Sequence, residues 1–281
     1  MTIAEAIAEG AAVLEIGGVP EVRRDADVLL RAAISRDRAF VIAHPEYTLR
    51  QDELARYREF IERRAQREPL QYIIGHTEFY GLEFRVTRDV LIPRPETELI
   101  VDKAIALLKD ERAPRFCEIG IGSGCIAVSI LVNVSLAAAV GCDTSEKALA
   151  IANENAAAHG VAERLKLSIS DVFDAIEPHQ FDLIAANPPY VPRIDLESLQ
   201  AEVSKFEPRM ALTDGADGLT IIRRIVHDAP DFIRPNGTLL MEIGFNQAAE
   251  VEKMFDSSRW ANVEIEPDLQ GIPRMVNASR K

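Results

Sequence analysis

The sequence predicts an α/β fold: a mostly parallel sheet with helices on both faces, preceded by a small all-helical N-terminal domain and a β-hairpin linker. Three observations carry this reading. From about residue 114 onward, short apolar runs of strand character alternate with helical patterns, as a parallel sheet covered on both faces requires. The first 75 residues carry helical stripes and no strand signal. Between His76 and Ile92 the apolar period shortens to two.

The helical part comes first. Ile3, Ala6, Ile7, Ala11 and Leu14 share one face, Val28, Leu29, Ala32 and Ala33 a second after Pro20, and Leu54, Tyr57, Phe60 and Ile61 a third after Pro45. Pro69 suits the first turn of a short helix through Tyr72 and Ile73. Arg23, Arg24, Arg31, Arg58, Arg63, Arg64 and Arg67 lie on exposed faces; such a cluster reads as a solvated helix surface, with nucleic-acid contact as the alternative. Leu82, Phe84 and Val86 alternate with charged or polar residues, and Gly81 separates them from Glu78-Phe79-Tyr80, which gives a β-hairpin. Pro93-Arg94-Pro95 breaks the chain before a helix that opens near Glu96-Thr97-Glu98 and runs through Leu107. The expected domains are therefore residues 1–75, helical; 76–95, hairpin and linker; and 96–281, the α/β part.

Within the α/β part, strands are expected at 115–119, 137–143, 165–170, 181–186 and 238–243, with helices at 125–131, 146–158, 219–233 and 247–255. Pro235-Asn236-Gly237 reads as a sharp turn into the fifth strand. Two further strands, 263–266 and 274–278, flank Gly271.

Composition narrows the function. The chain of 281 residues has 32 basic against 45 acidic residues, a net charge of −13, so its surface repels a phosphate backbone overall. No run approaches membrane-spanning length and the N-terminus lacks a basic, apolar leader, so a cytoplasmic protein without membrane contact is expected. Cys117, Cys125 and Cys142 sit in apolar surroundings without C-x-x-C spacing and read as reduced core residues. His44, His76, His159, His179 and His227 are scattered, and no metal is expected.

The chemistry concentrates in Asn187-Pro188-Pro189-Tyr190, which stops the apolar run 181–186. Two prolines cannot continue a ladder, so the chain must leave the sheet in a rigid loop. The Asn187 side-chain carbonyl and the Pro188 main-chain carbonyl offer two acceptors side by side, which suit a planar NH2 group. An amide or aryl amine is a poor nucleophile; with both N–H bonds held, its nitrogen can pyramidalise and aim a lone pair at an electrophile. Pro189 stiffens the loop and Tyr190 is expected beside the flat group. The bland alternative is a simple Asn-Pro turn.

Glu118-Ile119-Gly120-Ile121-Gly122-Ser123-Gly124 follows the first strand of the α/β part and precedes a helix. Its G-x-G-x-G spacing is one residue shorter than the dinucleotide fingerprint, and no phosphate-gripping G-x-x-x-x-G-K-[ST] occurs. Asp143, at the end of the second strand, can accept from both hydroxyls of a ribose, or can simply favour a helix N-terminus near Thr144 or Ser145. Asp171, after the third strand, can hold an adenine amino group or serve a turn. Anionic Glu118 and Asp143 suit a cationic sulfonium better than a polyphosphate, and S-adenosyl-L-methionine satisfies all these constraints.

These residues resemble class I (Rossmann-like) S-adenosylmethionine-dependent methyltransferases that act on amide or exocyclic amine nitrogens. Residues 68–75 (EPLQYIIG), Phe79-Tyr80-Gly81-Leu82, residues 91–98 (LIPRPETE), residues 207–212 (EPRMAL), Asp217-Gly218-Leu219 and Leu240-Met241-Glu242-Ile243-Gly244 resemble, more specifically, the PrmC/HemK family of protein-glutamine methyltransferases. The resemblance covers nearly the whole chain. It implies methyl transfer to the side-chain amide nitrogen (N5) of the glutamine in the Gly-Gly-Gln motif of class I peptide chain release factors, with S-adenosyl-L-homocysteine as product. By position, Gly120, Ile121, Gly122, Ser123 and Gly124 hold the methionine part, Asp143 the ribose, Asp171 and Val172 the adenine side, and Asn187 and Pro188 the amide, with Pro189 and Tyr190 beside it. The family often carries tryptophan where this chain has Val172, which removes a stacking partner. The resemblance also implies that the helical domain helps to hold the protein substrate, and an acidic enzyme would steer a basic release-factor region. A monomer without direct nucleic-acid contact is expected. The rival readings are an adenine-N6 nucleic-acid methyltransferase, which uses the same loop on a flipped base, and a non-catalytic adaptor that keeps the fold.

Overall fold

The computed structural model describes residues 1–178 and 180–281; His179, one of the scattered histidines, lies outside the described residues. The chain divides into two compact units, Met1–His76 with Gln200–Phe206, and Thr77–Leu199 with Glu207–Lys281.

The smaller unit is helical: α1 (Ile3–Ile16), α2 (Val22–Ile34), α3 (Arg38–Ala43), α4 (Gln51–Ala65) and α5 (Leu70–Ile74). Thr2 and Glu5 close a capping box over α1, each side chain satisfying a backbone donor of the other residue. The helical stripes meet in one core that includes Ile3, Leu14, Leu29, Leu30, Tyr57 and Ile61. The buried Tyr57 hydroxyl donates to the Ala6 carbonyl at 3.1 Å, so this polar atom in the core is satisfied.

A returning helix, Ala201–Phe206, begins 125 residues beyond the His76 boundary and still belongs to this unit, although the sequence places it in the α/β part. Ion pairs explain why. Arg64, itself buried, donates from Nε to Asp25 at 2.8 Å and from Nη1 to Glu202 at 3.0 Å, while Arg67 Nη2 lies 2.6 Å from Glu202. Two of the arginines read as a solvated surface thus hold a strand-distant carboxylate. Burial alone raises the Glu202 carboxyl, but donation from Arg67 and Arg64 outweighs it and brings the group down to about 2.

The larger unit opens with the hairpin β1 (His76–Phe79) and β2 (Leu82–Arg85). Tyr80 and Gly81, both at positive φ, make its turn. Phe79 and Phe84 join the core of this unit, and the Arg85 N–H and carbonyl are both bonded to the Asn155 carboxamide. The hairpin is therefore fixed to the α/β fold.

The remaining elements are α6 (Glu98–Leu108), β3 (Arg115–Ile119), α7 (Cys125–Asn133), β4 (Ala138–Asp143), α8 (Glu146–Ala158), β5 (Leu165–Ile169) and β6 (Phe181–Ala186), followed beyond the returning helix, α9, by α10 (Arg209–Leu212), α11 (Thr220–Asp228), β7 (Ile233–Glu242), α12 (Ala248–Glu252), β8 (Trp260–Pro267) and β9 (Pro273–Arg280). The seven strands order as β5-β4-β3-β6-β7-β9-β8; the first five run parallel, and β9 pairs antiparallel with both β7 and β8, so β9 alone runs against the others. Successive strand residues point to opposite faces: Leu183 and Ala185 enter one core with α6, α7 and α8, while Ile184 and Ala186 enter the other with α11 and α12. The sheet is mostly parallel, with helices on both sides, as the alternation predicts.

Two local expectations fail. Pro235-Asn236-Gly237 lies inside β7 as a bulge: β6 advances two residues, Phe181 to Leu183, while β7 advances five, Ile233 to Thr238. The extra residues loop out because Pro235 cannot donate to the ladder and Asn236 takes φ 63°. The helix expected at 219–233 ends at Asp228, where Ala229-Pro230-Asp231 forms a 3-10 turn; the ring of Pro230 excludes the preceding helical carbonyl. The cysteines are buried and free. Among the described residues no helix is long and apolar enough to cross a membrane, and no group of three His, Cys, Asp or Glu could hold a metal ion.

Glu202 has a folded value below its usual one, so its contribution to stability is present above the usual 4.5 and fades as pH falls toward 2. Glu202→Gln is expected to lower the melting temperature at neutral pH, and the gap to the native chain should close as thermal melts are repeated from pH 5 downward. A gap that is constant with pH contradicts the ion-pair account.

Candidate active site

The strand order reverses between β3 and β6, and the loops at the carboxyl ends of those two strands diverge to leave a crevice. Ile119 pairs with Ala186 as the last register position of the two strands, so Gly120 and Asn187 leave the sheet side by side. They line one cleft of about 260 Å³, together with Arg94, Asp143, Val172 and Met210.

The glycine-rich loop forms its floor. Gly120, Gly122 and Gly124 take φ 70°, 53° and 79°, which side chains resist. A Cβ on Gly120 would meet nothing within 4 Å; its open flank belongs to the cleft, and a ligand can lie on bare backbone there. Asp143, at the end of β4, braces the loop: Oδ2 accepts from Gly122 N–H at 3.0 Å and Oδ1 from Ser145 N–H at 2.9 Å. Ser145 is the cap of α8, accepting from Ala148 N–H, so the helix-cap reading and the ligand reading of this corner coexist. Each Asp143 oxygen keeps a lone pair for a further donor.

Five carboxylates, Asp89, Glu118, Asp143, Asp171 and Asp214, line the cleft against the single guanidinium of Arg94. Glu118 departs from the anionic role expected of it. It is 1% exposed, accepts from Ala127 N–H at 2.8 Å, and burial pushes its carboxyl well above the usual range. Asp143 therefore carries the negative character nearest the loop. Arg94 is neutralised by Glu207 at 2.5 Å, a buried carboxylate that also accepts from Ile92 N–H.

Asn187 faces the cleft through a tether the sequence did not reveal. Its Nδ2 donates to Thr97 Oγ1 at 3.1 Å, and Thr97 Oγ1 donates to Glu242 Oε2 at 2.6 Å. Tyr190 donates from its hydroxyl to Glu242 Oε1 at 3.0 Å. Asn187 Oδ1 is left without a partner among the described residues. Thr97 ends the 3-10 turn Pro95–Thr97, and Glu242 ends β7; both are 2% exposed. Burial holds the Glu242 carboxyl above its usual range, and Thr97, Tyr190 and Arg274 offset only part of that rise. The signal for Glu242 was present: one acid in the otherwise apolar run Leu239-Leu240-Met241-Glu242-Ile243, at the carboxyl end of a central strand.

The loop residues divide. Asn187 and Pro189 line the cleft, Pro188 between them is buried and leaves only its main-chain carbonyl as a candidate acceptor, and the Tyr190 hydroxyl is turned to Glu242. Tyr190, expected beside the flat group, is half-buried and packs against the core of that face. Gly120, Ile121, Gly122 and Ser123 line the cleft, whereas Gly124 packs at the base of α7, with Ala152 at 3.2 Å from where its Cβ would stand. Asp171 reaches the cleft rim, exposed, with its carboxylate 2.8 Å from Arg224, so any ligand amino group there competes with that guanidinium. Val172 holds φ 54°, a strained value for a β-branched residue, and its carbonyl accepts from Ser170 Oγ at 3.1 Å and Cys142 Sγ at 3.3 Å. The forced turn brings its buried side chain to the cleft wall, an apolar surface in place of a ring.

Behind the loop, Gln247 ties three segments together. Its Nε2 donates to the Tyr190 carbonyl at 2.9 Å and to that of Gly218 at 3.4 Å, and its Oε1 accepts from Gly244 N–H at 2.7 Å.

A glycine-floored crevice at the switch point, an acid at the end of the second strand and an oriented Asn-Pro-Pro-Tyr loop define a methyltransferase. A model described as the methyltransferase small domain matches residues 98–203, and one described as the PrmC N-terminal domain matches residues 5–75. A release factor glutamine methyltransferase of Geobacter sulfurreducens is 43% identical over 259 residues, which cover 92% of this chain and 90% of that protein. One of Koribacter versatilis is 40% identical over 277 residues, covering 98% of both. The chain belongs to the release factor glutamine methyltransferase family. Solved structures agree on the fold: the hMettl16 catalytic domain in complex with MAT2A 3′UTR hairpin 6 aligns with a TM-score of 0.59 at 14% identity, over 87% of this chain and 92% of that one. A methyltransferase from Pyrococcus furiosus aligns at 0.54 and 15% identity, over 72% and 90%.

Gly218 should be intolerant of any side chain. It has φ 77°, and a Cβ there would stand 2.2 Å from the Tyr190 carbonyl oxygen, backbone against backbone. Gly218→Ala is expected to cost more than ~2 kcal/mol, combining the left-handed penalty with a forced shift of the Asn187 loop. Urea unfolding of the two chains reads this directly, and equal midpoints would refute it.

Proposed function

We propose that the protein transfers a methyl group from S-adenosyl-L-methionine to the side-chain amide nitrogen of the glutamine in the Gly-Gly-Gln motif of class I peptide chain release factors. One observation carries the reading: Asn187 Oδ1, unpartnered among the described residues, and the glycine floor share a cleft at adjoining strand ends. The relatives named as release factor glutamine methyltransferases, which align over nearly the full chain, supply the substrate class.

The cofactor's chemistry is to supply an electrophilic methyl carbon on a cationic sulfur, leaving S-adenosyl-L-homocysteine. The residues fit such a ligand: the open flank of Gly120 admits a chain against the backbone, Asp143 keeps acceptor capacity for ribose hydroxyls, and Val172 offers an apolar wall for the adenine. No phosphate grip is needed, and the carboxylate-rich lining favours a cation.

On the substrate side, Asn187 Oδ1 accepts one N–H of the glutamine carboxamide and the Pro188 carbonyl the other. Both acceptors are fixed before the substrate arrives, so no reorganisation is spent in the transition state. Held this way, the amide nitrogen turns its lone pair out of conjugation and toward the methyl carbon. When bound, the cofactor would supply the methyl carbon and keep the C–S electron pair as a neutral thioether, while Asn187 and Pro188 would hold the amide nitrogen as it gains the methyl group and gives up its surplus proton to solvent water.

Asn187→Ala should lower turnover on a purified release factor by on the order of 10²-fold while leaving cofactor affinity nearly unchanged, because the lost contact acts on the amide. Asp143→Ala should reverse the pattern, weakening cofactor binding first. Methyl-transfer kinetics paired with calorimetry separate the two, with duplex DNA as the competing acceptor. Full turnover by Asn187→Ala, or preferential methylation of DNA, contradicts the proposal.

A further inference from the structure

We infer that Glu242, acting through Thr97, dictates which way the Asn187 carboxamide is turned, so that its oxygen and not its NH2 group meets the substrate. Thr97 and Glu242 are thus positioning residues for methyl transfer. The inference rests on the glutamine reading given above.

A carboxamide has two ends of nearly equal size, so shape alone does not choose between its two flips. Only hydrogen bonds do. Here the choice follows from counting protons along the tether. Glu242 is 2% exposed, and each of its oxygens receives a hydroxyl, Thr97 at 2.6 Å and Tyr190 at 3.0 Å. Two donors on its two oxygens favour the ionised carboxylate and work against the upward push of burial, and 2.6 Å is the length of a charge-assisted O–H to carboxylate bond. Thr97 has one proton and has given it to Glu242. Its oxygen can then only accept, and the partner that reaches it is Asn187 at 3.1 Å. Asn187 must present N–H to Thr97, which sends Oδ1 into the cleft.

The reversed flip would set Asn187 Oδ1 against the Thr97 oxygen lone pair, acceptor against acceptor, at a fully buried hydroxyl. It would also turn Asn187 N–H groups toward the glutamine N–H groups, donor against donor. The direction therefore matters twice, and one buried anion sets both. Tyr190 belongs to the same device: by donating to the second oxygen it holds the carboxylate in place and blocks that oxygen from taking a proton. Glu242 does not line the cleft, and Thr97 lines it with its hydroxyl engaged by Asn187 and Glu242; both act through Asn187.

The test uses the full chain, S-adenosyl-L-methionine and a purified release factor. Thr97→Val keeps the shape of the side chain and removes the hydroxyl, so the two flips of Asn187 become nearly equivalent. It is expected to lower kcat by about 10-fold or more, with KM for the release factor and cofactor affinity each changed by less than about threefold, because the missing element acts on transition-state geometry. Thr97→Ser restores the hydroxyl and should return kcat to within about threefold of the native value. Glu242→Gln removes the obligate acceptor, lets either amide end face Thr97, and should lower kcat in the same direction. Combined with Thr97→Val it should add little, since the tether is already broken. The inference is overturned if Thr97→Val or Glu242→Gln keeps native kcat, if Thr97→Ser is as impaired as Thr97→Val, if cofactor affinity falls in parallel with kcat, or if the two losses simply multiply. A native enzyme that leaves the glutamine unmodified overturns the glutamine reading itself, and this inference with it. A native enzyme that methylates alongside a fully active Thr97→Val overturns this inference alone.

Discussion

The structure depends on one register: Ile119 of β3 opposite Ala186 of β6, at the point where strand order reverses. Parallel strands place their carboxyl ends on the same edge, and at a reversal point the connecting helices pass to opposite faces, so the two loops separate and leave a crevice. A slip of one residue would exchange the faces of every side chain in β6, exposing Ile184 and Ala186 to the wrong core. The same packing that buries the sheet therefore fixes where Asn187 stands relative to Gly120.

Buried acids recur at that edge, and each is explained by its donors. Glu118 ends one strand and receives the Ala127 N–H; Glu242 ends another and receives Thr97 and Tyr190; Glu207 receives Arg94 and Ile92 N–H. An unpaired carboxylate there would carry a desolvation cost that no single contact offsets. With partners supplied, these groups become rigid struts. Two of them hold cleft residues, Asn187 through Thr97 and Arg94 directly, and neither reaches the cleft as a reacting group. The strained backbone at Val172 and the crossing of Gly218 over the Tyr190 carbonyl are further signs that the loops are held by their surroundings.

Most of the fold was legible because its signals are local. Apolar runs, period changes and glycine or proline breaks placed the strands of the α/β part, and Asn187-Pro188-Pro189-Tyr190 and Gly120 to Gly124 announced the cleft by residue type alone. What was not legible depends on contacts remote in the chain. Nothing near Glu202 shows that it joins Arg64 and Arg67, more than 130 positions away. Thr97 looks like an ordinary helix-start residue until Glu242 is placed beside it. Pro235-Asn236-Gly237 was read as a sharp turn into the fifth strand and is a bulge within it; the two share the same residues, and only the neighbouring strand distinguishes them. Tyr190 was assigned to the ligand from its position in the loop, whereas the side-chain direction was set by a carboxylate on another strand.

The central claim is that this cleft methylates a glutamine carboxamide. Tandem mass spectrometry of a class I release factor, digested after incubation with the protein and S-adenosyl-L-methionine, tests it most directly. The account predicts one added methyl group, carried by the side chain of the glutamine in Gly-Gly-Gln. An unmodified glutamine, or a methyl group found only on other residues, would contradict it.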